Sequence, residues 1–187
     1  TLYSLAPLKK QAGSLQIIIL SLIGPMKNHL KLIQSLAFVQ GDVDLHVVGP
    51  VYDKEYWAEC LLASATLPSS VRFHYHGEVA PDRVPDFLSL AHVFACPSES
   101  ENFGHAILEA LSTGKPAITS FGTPWMDLEA AKAGKNITVS SDQIALAIQF
   151  FIDMTDEDYK NWSNSAALYA RSMVNMESIR SQYYSLF

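Results

Sequence analysis

Two glutamates, Glu101 and Glu109, lie eight residues apart around the start of a predicted helix. The turn before that helix, residues 97–104, follows an apolar run and ends in Gly104, which permits close backbone approach. A helix N-terminus can bind a diphosphate without a basic patch, through its free N–H groups and its dipole. One carboxylate just before the helix and a second about two helical turns further along could then bind two different polyols. Alternatively, a residue of this turn only caps the helix and Glu109 is a solvated side chain.

Two familiar nucleotide-binding motifs do not fit the chain. Gly114-Lys115 is not a P-loop, because Pro116 stands where that motif requires serine or threonine. No Gly-x-Gly-x-x-Gly follows the first predicted strand, where residues 23–27 are Ile-Gly-Pro-Met-Lys. The sequence therefore disfavours a dinucleotide-dependent dehydrogenase.

These turns connect aliphatic runs with amphipathic segments, an alternation typical of an α/β fold. The predicted strands cover residues 16–23, 43–49, 71–79, 93–96, 116–120 and 136–139. The predicted helices cover residues 27–39, 53–65, 82–90, 103–113 and 125–132, and only helix is predicted from residue 141 onward. We expect a Rossmann-like parallel sheet of about six strands flanked by helices, with a helical C-terminal extension. Ligands of such a sheet bind beyond the carboxyl ends of its strands, which directs attention to the strand-to-helix turns.

Composition excludes several classes of protein. The 187 residues carry a net charge of -6, so a nucleic-acid binder that works by bulk positive charge is disfavoured and any anion site must be local. Cys60 and Cys96 are the only cysteines, too few for a disulfide framework or a four-cysteine zinc site. His74 and His76 alternate in a predicted strand, but no third metal ligand is evident, so we expect structural histidines. No apolar run is long enough to predict a membrane span.

Residues 98–128 resemble the donor-binding domain of the retaining GT-B glycosyltransferases known as group 1 or family 4. The resemblance rests on Glu101, seven intervening residues, Glu109, and the Gly-Lys-Pro of residues 114–116. Residues 122–125, Gly-Thr-Pro-Trp, are similar to a branch of polysaccharide-building members. Further matches are Pro-Met-Lys-Asn at 25–28, Val-Gly-Pro at 48–50 and Gly-Glu-Val at 77–79, so the resemblance covers about residues 16–140.

The resemblance implies roles for the matching positions. Glu101 would bind sugar hydroxyls near the anomeric carbon, and Lys27 would pair with the diphosphate and stabilise the leaving group; these two are the expected catalytic residues. Glu109 would bind the ribose hydroxyls, and Val79 would lie near the base. The expected donor-binding residues are Lys27, Val79, Glu101, Asn102, Phe103, Gly104 and Glu109. No metal or other cofactor is expected.

By the same resemblance, the chain is the donor-binding half of a hexosyltransferase that moves a sugar from a nucleotide-diphosphate sugar to a glycan or lipid-linked acceptor. Residues 1–15 would be a linker or domain edge, 16–140 the nucleotide-sugar-binding domain, and 141–187 helices packed on it. An N-terminal acceptor domain would be missing, so we expect the chain alone to be inactive. We expect a cytoplasmic protein of polysaccharide biosynthesis. Peripheral association of the full-length enzyme with the inner face of the plasma membrane is a second expectation.

One position departs from the family pattern. Leu22 stands where the family usually has an arginine, five residues before Lys27. Leucine cannot supply the bidentate, permanently charged contact that an arginine makes with a diphosphate. The alternative function is therefore a non-catalytic module that binds nucleotide sugars or serves as a scaffold.

Overall fold

The computed structural model describes residues 7–173 of the 187-residue chain. In this part of the chain, strands alternate with helices as far as the fifth strand, the sixth strand follows without an intervening helix, and two helices come last. The strands are β1 (Ser14–Leu20), β2 (Asp42–Val48), β3 (Val71–Tyr75), β4 (Val93–Cys96), β5 (Ala117–Ser120) and β6 (Gly134–Ile137). The helices are α1 (His29–Ser35), α2 (Lys54–Ala65), α3 (Val84–Ser89), α4 (His105–Ser112), α5 (Ser141–Ile152) and α6 (Asp156–Met173). Within these residues no helix combines the length and apolar character needed to cross a bilayer.

The strands form one parallel sheet in the spatial order β3-β2-β1-β4-β5-β6. This confirms the predicted Rossmann-like α/β fold. β1 and β2 pair along their whole length, from Ser14 beside Asp42 to Leu20 beside Val48. Aliphatic residues fill both faces of β1 because helices cover the sheet on both sides, whereas one face of β2 carries the polar residues Asp44 and His46.

The helices divide between the two faces of the sheet. One buried cluster contains residues of α1, α2 and α5, such as Ile33, Cys60 and Ile148. The opposite cluster contains residues of α3, α4 and α6, such as Leu88 and Ile107. The chain therefore leaves β1 towards one face and leaves β4 towards the other, although these strands are neighbours in the sheet. A crevice opens at the carboxyl ends of two strands that diverge in this way.

The helix predicted at residues 27–39 is shorter and interrupted. A 3₁₀ turn covers Pro25–Lys27, Asn28 adopts a left-handed conformation with φ 55°, and α1 begins only at His29. A second 3₁₀ turn, Leu36–Phe38, ends the segment and leaves Ala37 exposed. The left-handed residue breaks the helix because a right-handed helix cannot continue through a positive φ.

The prediction of a helix at residues 125–132 was wrong. Asp127 and Lys132 have positive φ values of 61° and 52°, and the segment forms successive turns instead. The side chain of Asn136 in β6 accepts a hydrogen bond from Leu128 N at 3.1 Å and donates one to Trp125 O at 2.7 Å. A side chain from a strand thus satisfies backbone groups that would otherwise be paired within a helix.

The predicted C-terminal helices are present as far as residue 173. α5 packs against α1 on one side of the sheet, and α6 packs against α4 on the other. Ala166 and Ala170 on α6 are buried against α4, where their small side chains let the two helices approach closely. The rest of the segment predicted as 141–187 lies outside the described residues.

The residues before β1 are tied to the C-terminal half of the fold. β1 begins at Ser14, two residues earlier than predicted and inside the segment expected to be a linker or domain edge. Lys10 is buried, and its ammonium donates hydrogen bonds to Ile152 O at 3.0 Å and to Met154 O at 3.3 Å. The lysine thereby caps the carbonyl end of α5.

Candidate functional site

The site lies in the crevice between β1 and β4, where the loops that follow these strands meet. The first loop contains Lys27 in its 3₁₀ turn, and the second contains Glu101 in the segment before α4. The backbone N–H of Glu99 donates to the carbonyl of Met26 at 2.9 Å. The two loops are therefore joined by a backbone hydrogen bond directly beside the two expected catalytic side chains.

Lys27 and Glu101 form an ion pair, in which the ammonium donates to Oε1 of the carboxylate. The pair is partly shielded from water, since the two side chains are 26% and 17% exposed. Ser98 donates a second hydrogen bond to the same oxygen at 2.7 Å, and the buried Cys96 thiol lies 3.7 Å from it. Lys27 and Ser98 thus fix the Glu101 carboxylate in position, and Lys27 is the one ammonium group that contacts it in the described part of the chain.

Two titratable groups have shifted pKa values here. Burial alone would raise the pKa of Glu101, but the hydrogen bonds from Lys27 and Ser98 outweigh it, and the pKa lies below its usual value. Burial, helped by the nearby Lys27 charge, lowers the pKa of His29 to about 4. At neutral pH Glu101 is therefore charged and His29 is neutral, with its Nε2 3.2 Å from the Ser21 hydroxyl.

The N-terminus of α4 opens beside this ion pair. Gly104 begins the helix with φ 75°, a conformation that glycine adopts without strain. A side chain at this position would also meet Ile107 Cδ1 at 2.7 Å. The carbonyl of Phe103 accepts a hydrogen bond from the indole N–H of the buried Trp125. The start of α4 is therefore fixed in position. Gly104, the residue at the N-cap, has no side chain that could accept hydrogen bonds from the free N–H groups of the first helical turn.

The remaining expected site residues lie around this centre. Glu109 is exposed on α4, and no hydrogen bond or ion pair joins its side chain to another residue within 7–173. Val79 is half-buried against the cluster that contains Val48, at the carboxyl ends of β2 and β3. Asn102 and Phe103 are exposed in the loop before α4. The structure brings Lys27 and Glu101 into contact, whereas Glu109 lies on α4 and Val79 lies in the loop after β3.

Asn28, Ser98 and Glu99 belong to the site, although the sequence alone assigned none of them a role. Asn28 donates hydrogen bonds to Pro97 O at 2.9 Å and to Glu99 Oε1 at 3.0 Å. The Ser98 hydroxyl donates a hydrogen bond to the Glu101 carboxylate. Asn28 belongs to the matched segment 25–28 and Ser98 lies three residues before Glu101, but the hydrogen bonds of Asn28 join segments about 70 residues apart and leave no local pattern in the sequence. Leu22, at the position of the family's arginine, is 45% exposed at the end of β1.

The histidines form a separate polar cluster on β2 and β3. His74 lies 2.8 Å from Asp44, which also accepts two hydrogen bonds from Arg72, and His76 lies 3.0 Å from His46. Among the described residues no group of three or more histidine, cysteine, aspartate or glutamate side chains could hold a metal ion. The side chains of His74 and His76 contact the sheet's own polar groups, in keeping with a structural role.

A hollow of about 440 Å³ lies elsewhere, between Phe38 and α5. It is lined mainly by apolar atoms, with Leu146 and Ala145 on its α5 wall, and it contains no pair of opposite charges. Its polar lining is Ser141, Asp142 and Gln149, so the hollow offers no cation to a diphosphate.

Comparison with known proteins identifies what the chain resembles. The family model described as "Glycosyl transferases group 1" matches residues 5–168. A search of curated protein sequences finds no significant match. Among solved structures, HepE from Anabaena, determined with UDP and glucose, is 23% identical with a TM-score of 0.78, over 93% of this chain and 48% of that one.

Two further structures have the same fold. Sucrose-phosphate synthase from Thermosynechococcus elongatus is 21% identical with a TM-score of 0.73, over 91% of this chain and 44% of that one. The C-terminal domain of a group 1 family protein, LpcC from Francisella tularensis, is 20% identical with a TM-score of 0.68, over 87% of each chain. The chain therefore spans about half the length of HepE and of the synthase.

Proposed function

Because the chain belongs to the glycosyl transferases group 1 family, we propose that it is the donor-binding half of a glycosyltransferase that uses a nucleoside-diphosphate sugar. The observation that carries this proposal is the Lys27–Glu101 ion pair at the N-terminus of α4, in the crevice between β1 and β4. A single cation beside free helix N–H groups suits a diphosphate, and a carboxylate next to it suits sugar hydroxyls. The complex of HepE with UDP and glucose supports a uridine nucleotide as the first ligand to test.

In the proposed reaction the diphosphate lies against the start of α4. Lys27 turns from Glu101 to the phosphate oxygens, and Glu101 becomes free to accept hydrogen bonds from the sugar. When the bond between the anomeric carbon and the phosphate oxygen breaks, negative charge grows on the phosphate. The Lys27 ammonium and the helix N–H groups stabilise that charge, and Glu101 stabilises the positive charge on the sugar ring.

Further features of the proposal follow from the family. Transfer would proceed with retention at the anomeric carbon, from a hexosyl donor to a glycan or a lipid-linked acceptor in polysaccharide biosynthesis. The acceptor would bind on a second domain, so the chain alone would bind donor without transferring sugar. Glu109 would bind the ribose and Val79 would lie near the base. The protein would work in the cytoplasm. The full-length enzyme would associate peripherally with the inner face of the plasma membrane in an alternative form of the proposal.

The experiment is a calorimetric binding series with UDP, GDP and ADP. One nucleotide should bind the wild-type chain saturably, and Lys27→Met and Glu109→Gln should each weaken it by about ten-fold or more, the effect of losing one charge-assisted hydrogen bond. Lys31→Met and Glu59→Gln are the matched controls: Lys31 pairs with Glu99 instead of Glu101, and Glu59 is an exposed glutamate on α2. Both controls should bind like the wild type.

A non-catalytic role is the second candidate, and the exposed Leu22 favours it. Without an arginine there, Lys27 is the one cation in contact with Glu101 among residues 7–173, and the ion pair has no excess positive charge. If none of the three nucleotides binds, or if binding is unchanged in Lys27→Met, the donor-binding proposal is wrong and the scaffold function is preferred.

A further inference from the structure

Asn28 occupies an unusual place between the two loops of the site. It is 5% exposed and has a left-handed backbone conformation, which asparagine tolerates better than most residues. It also precedes α1 directly, where an asparagine side chain commonly caps the helix by accepting a hydrogen bond from a backbone N–H. In the described chain this side chain makes no such cap.

The side-chain amide of Asn28 is instead directed across the crevice. Its nitrogen donates to Pro97 O at 2.9 Å and to Glu99 Oε1 at 3.0 Å, so both amide hydrogens are used. Glu99 is held a second time, because its backbone N–H donates to Met26 O. These contacts, which we term the β1–β4 clasp (Met26, Asn28, Pro97 and Glu99), join the loop after β1 to the loop after β4.

The clasp is adjacent to both members of the ion pair. Asn28 follows Lys27 in the chain, and Glu99 precedes Glu101 by two residues. A displacement of either loop would therefore move an expected catalytic side chain. The amide is also hard to replace: its two donors are matched by two acceptors, of which the Pro97 carbonyl is buried, and losing the amide leaves that carbonyl without this partner.

We propose that Asn28 is a positioning residue, which holds the loop after β4 against the loop after β1 and so keeps the Lys27 ammonium on the Glu101 carboxylate before a donor arrives. The purpose of that arrangement, a site assembled in advance for a diphosphate sugar, rests on the proposed function. The positioning itself does not, because it can be measured in the unliganded chain.

The first measurement is the carboxyl titration of Glu101, followed by NMR. Asn28→Gly retains a residue suited to the left-handed backbone and removes the side chain with its amide. We expect it to raise the titration midpoint of Glu101 towards that of Lys27→Met, in which the ammonium is gone. Lys31→Met is the matched control, because Lys31 contacts Glu99 at 3.5 Å but not Glu101, and it should titrate like the wild type.

The second measurement is UDP binding by calorimetry. Asn28→Gly should melt at a lower temperature, because Pro97 O loses its partner, and should weaken UDP binding by about ten-fold at a temperature where it is still fully folded; Lys31→Met should bind within about two-fold. If Asn28→Gly does not fold, Glu99→Ala tests the same contact from the exposed side and should raise the Glu101 midpoint by a smaller amount.

The outcomes separate the two proposals. If Glu101 has the wild-type titration midpoint in both Asn28→Gly and Glu99→Ala, the positioning role is wrong, whatever the affinity of these variants for UDP. A raised Glu101 midpoint with no UDP binding by any variant, the wild type included, supports the positioning role and overturns uridine nucleotides as the donor class. A raised midpoint together with weakened UDP binding supports both.

Discussion

Replacing Lys115 by methionine should stabilise the fold, although it removes a charged residue from the family's Gly-x-Pro segment. Lys115 lies in the turn between α4 and β5, and its side chain is 0% exposed. Within residues 7–173 its ammonium has no hydrogen-bond partner. Methionine has nearly the same length and volume and leaves no buried charge, so the surrounding side chains can stay in place.

The size of the effect follows from the pKa of the buried amine. Burial lowers the pKa of Lys115 from 10.5 to about 8. Each pKa unit corresponds to about 1.4 kcal/mol, so the charged form costs about 3 kcal/mol of unfolding free energy at pH 7. Lys115→Met should gain about that amount.

The gain should depend on pH in a defined direction. Between pH 8 and 10.5 the unfolded chain binds more protons at this lysine than the folded chain, so wild-type stability rises with pH there. The advantage of Lys115→Met is therefore complete below pH 8 and should shrink as the pH approaches 10.5. Urea unfolding of both proteins at several pH values between 7 and 10.5, followed by tryptophan fluorescence, measures this difference.

Lys10 is the matched control. It is also buried, and desolvation lowers its pKa to about 8 as well, but its ammonium donates hydrogen bonds to three carbonyls, Gln11, Ile152 and Met154. Lys10→Met should destabilise the fold, because those carbonyls lose their partner. Lower stability of Lys115→Met at pH 7, or a stability difference that does not change between pH 8 and 10.5, would refute the interpretation of Lys115.

Three further predictions concern the site and the core. Gly122→Ala should destabilise the chain by about 2 kcal/mol and weaken nucleotide binding, because the new Cβ would lie 1.9 Å from the carbonyl oxygen of Glu99. Gly24→Ala is the control, since the nearest atom to its Cβ is 3.9 Å away. Equal melting temperatures of the two variants would contradict the close contact between the loops. Leu22→Arg should tighten UDP binding, an effect that calorimetry would measure and that weaker or unchanged binding would disprove. Stability should fall as the pH drops from 6.5 to 4, because burial lowers the pKa of three histidines to about 4 and the unfolded chain then binds more protons; a flat urea-unfolding midpoint over this range would speak against it. These histidines are His29, His46 and His92.

The elements of the sheet were readable from local sequence. Residues 16–23 are aliphatic almost throughout, a composition typical of a strand buried on both faces, residues 43–49 contain four aliphatic residues, and β1 and β2 occupy most of these ranges. Prediction failed where a distant group took over a local hydrogen bond. At 125–132 the side chain of Asn136 satisfies the backbone, and no helical periodicity in the sequence could reveal that.

The sequence by itself determined the alternation of strands and helices and the family motif that contains Lys27, Glu101 and Glu109. Side-chain hydrophobicity and helix-terminus chemistry act over a few residues, so these features can be recognised without coordinates. Only the tertiary structure decided that β1 lies beside β4, and this neighbourhood brings Lys27 to Glu101 across 74 residues of chain. Strand order depends on how the helices cover both faces of the sheet, a property of the whole chain and not of any segment within it.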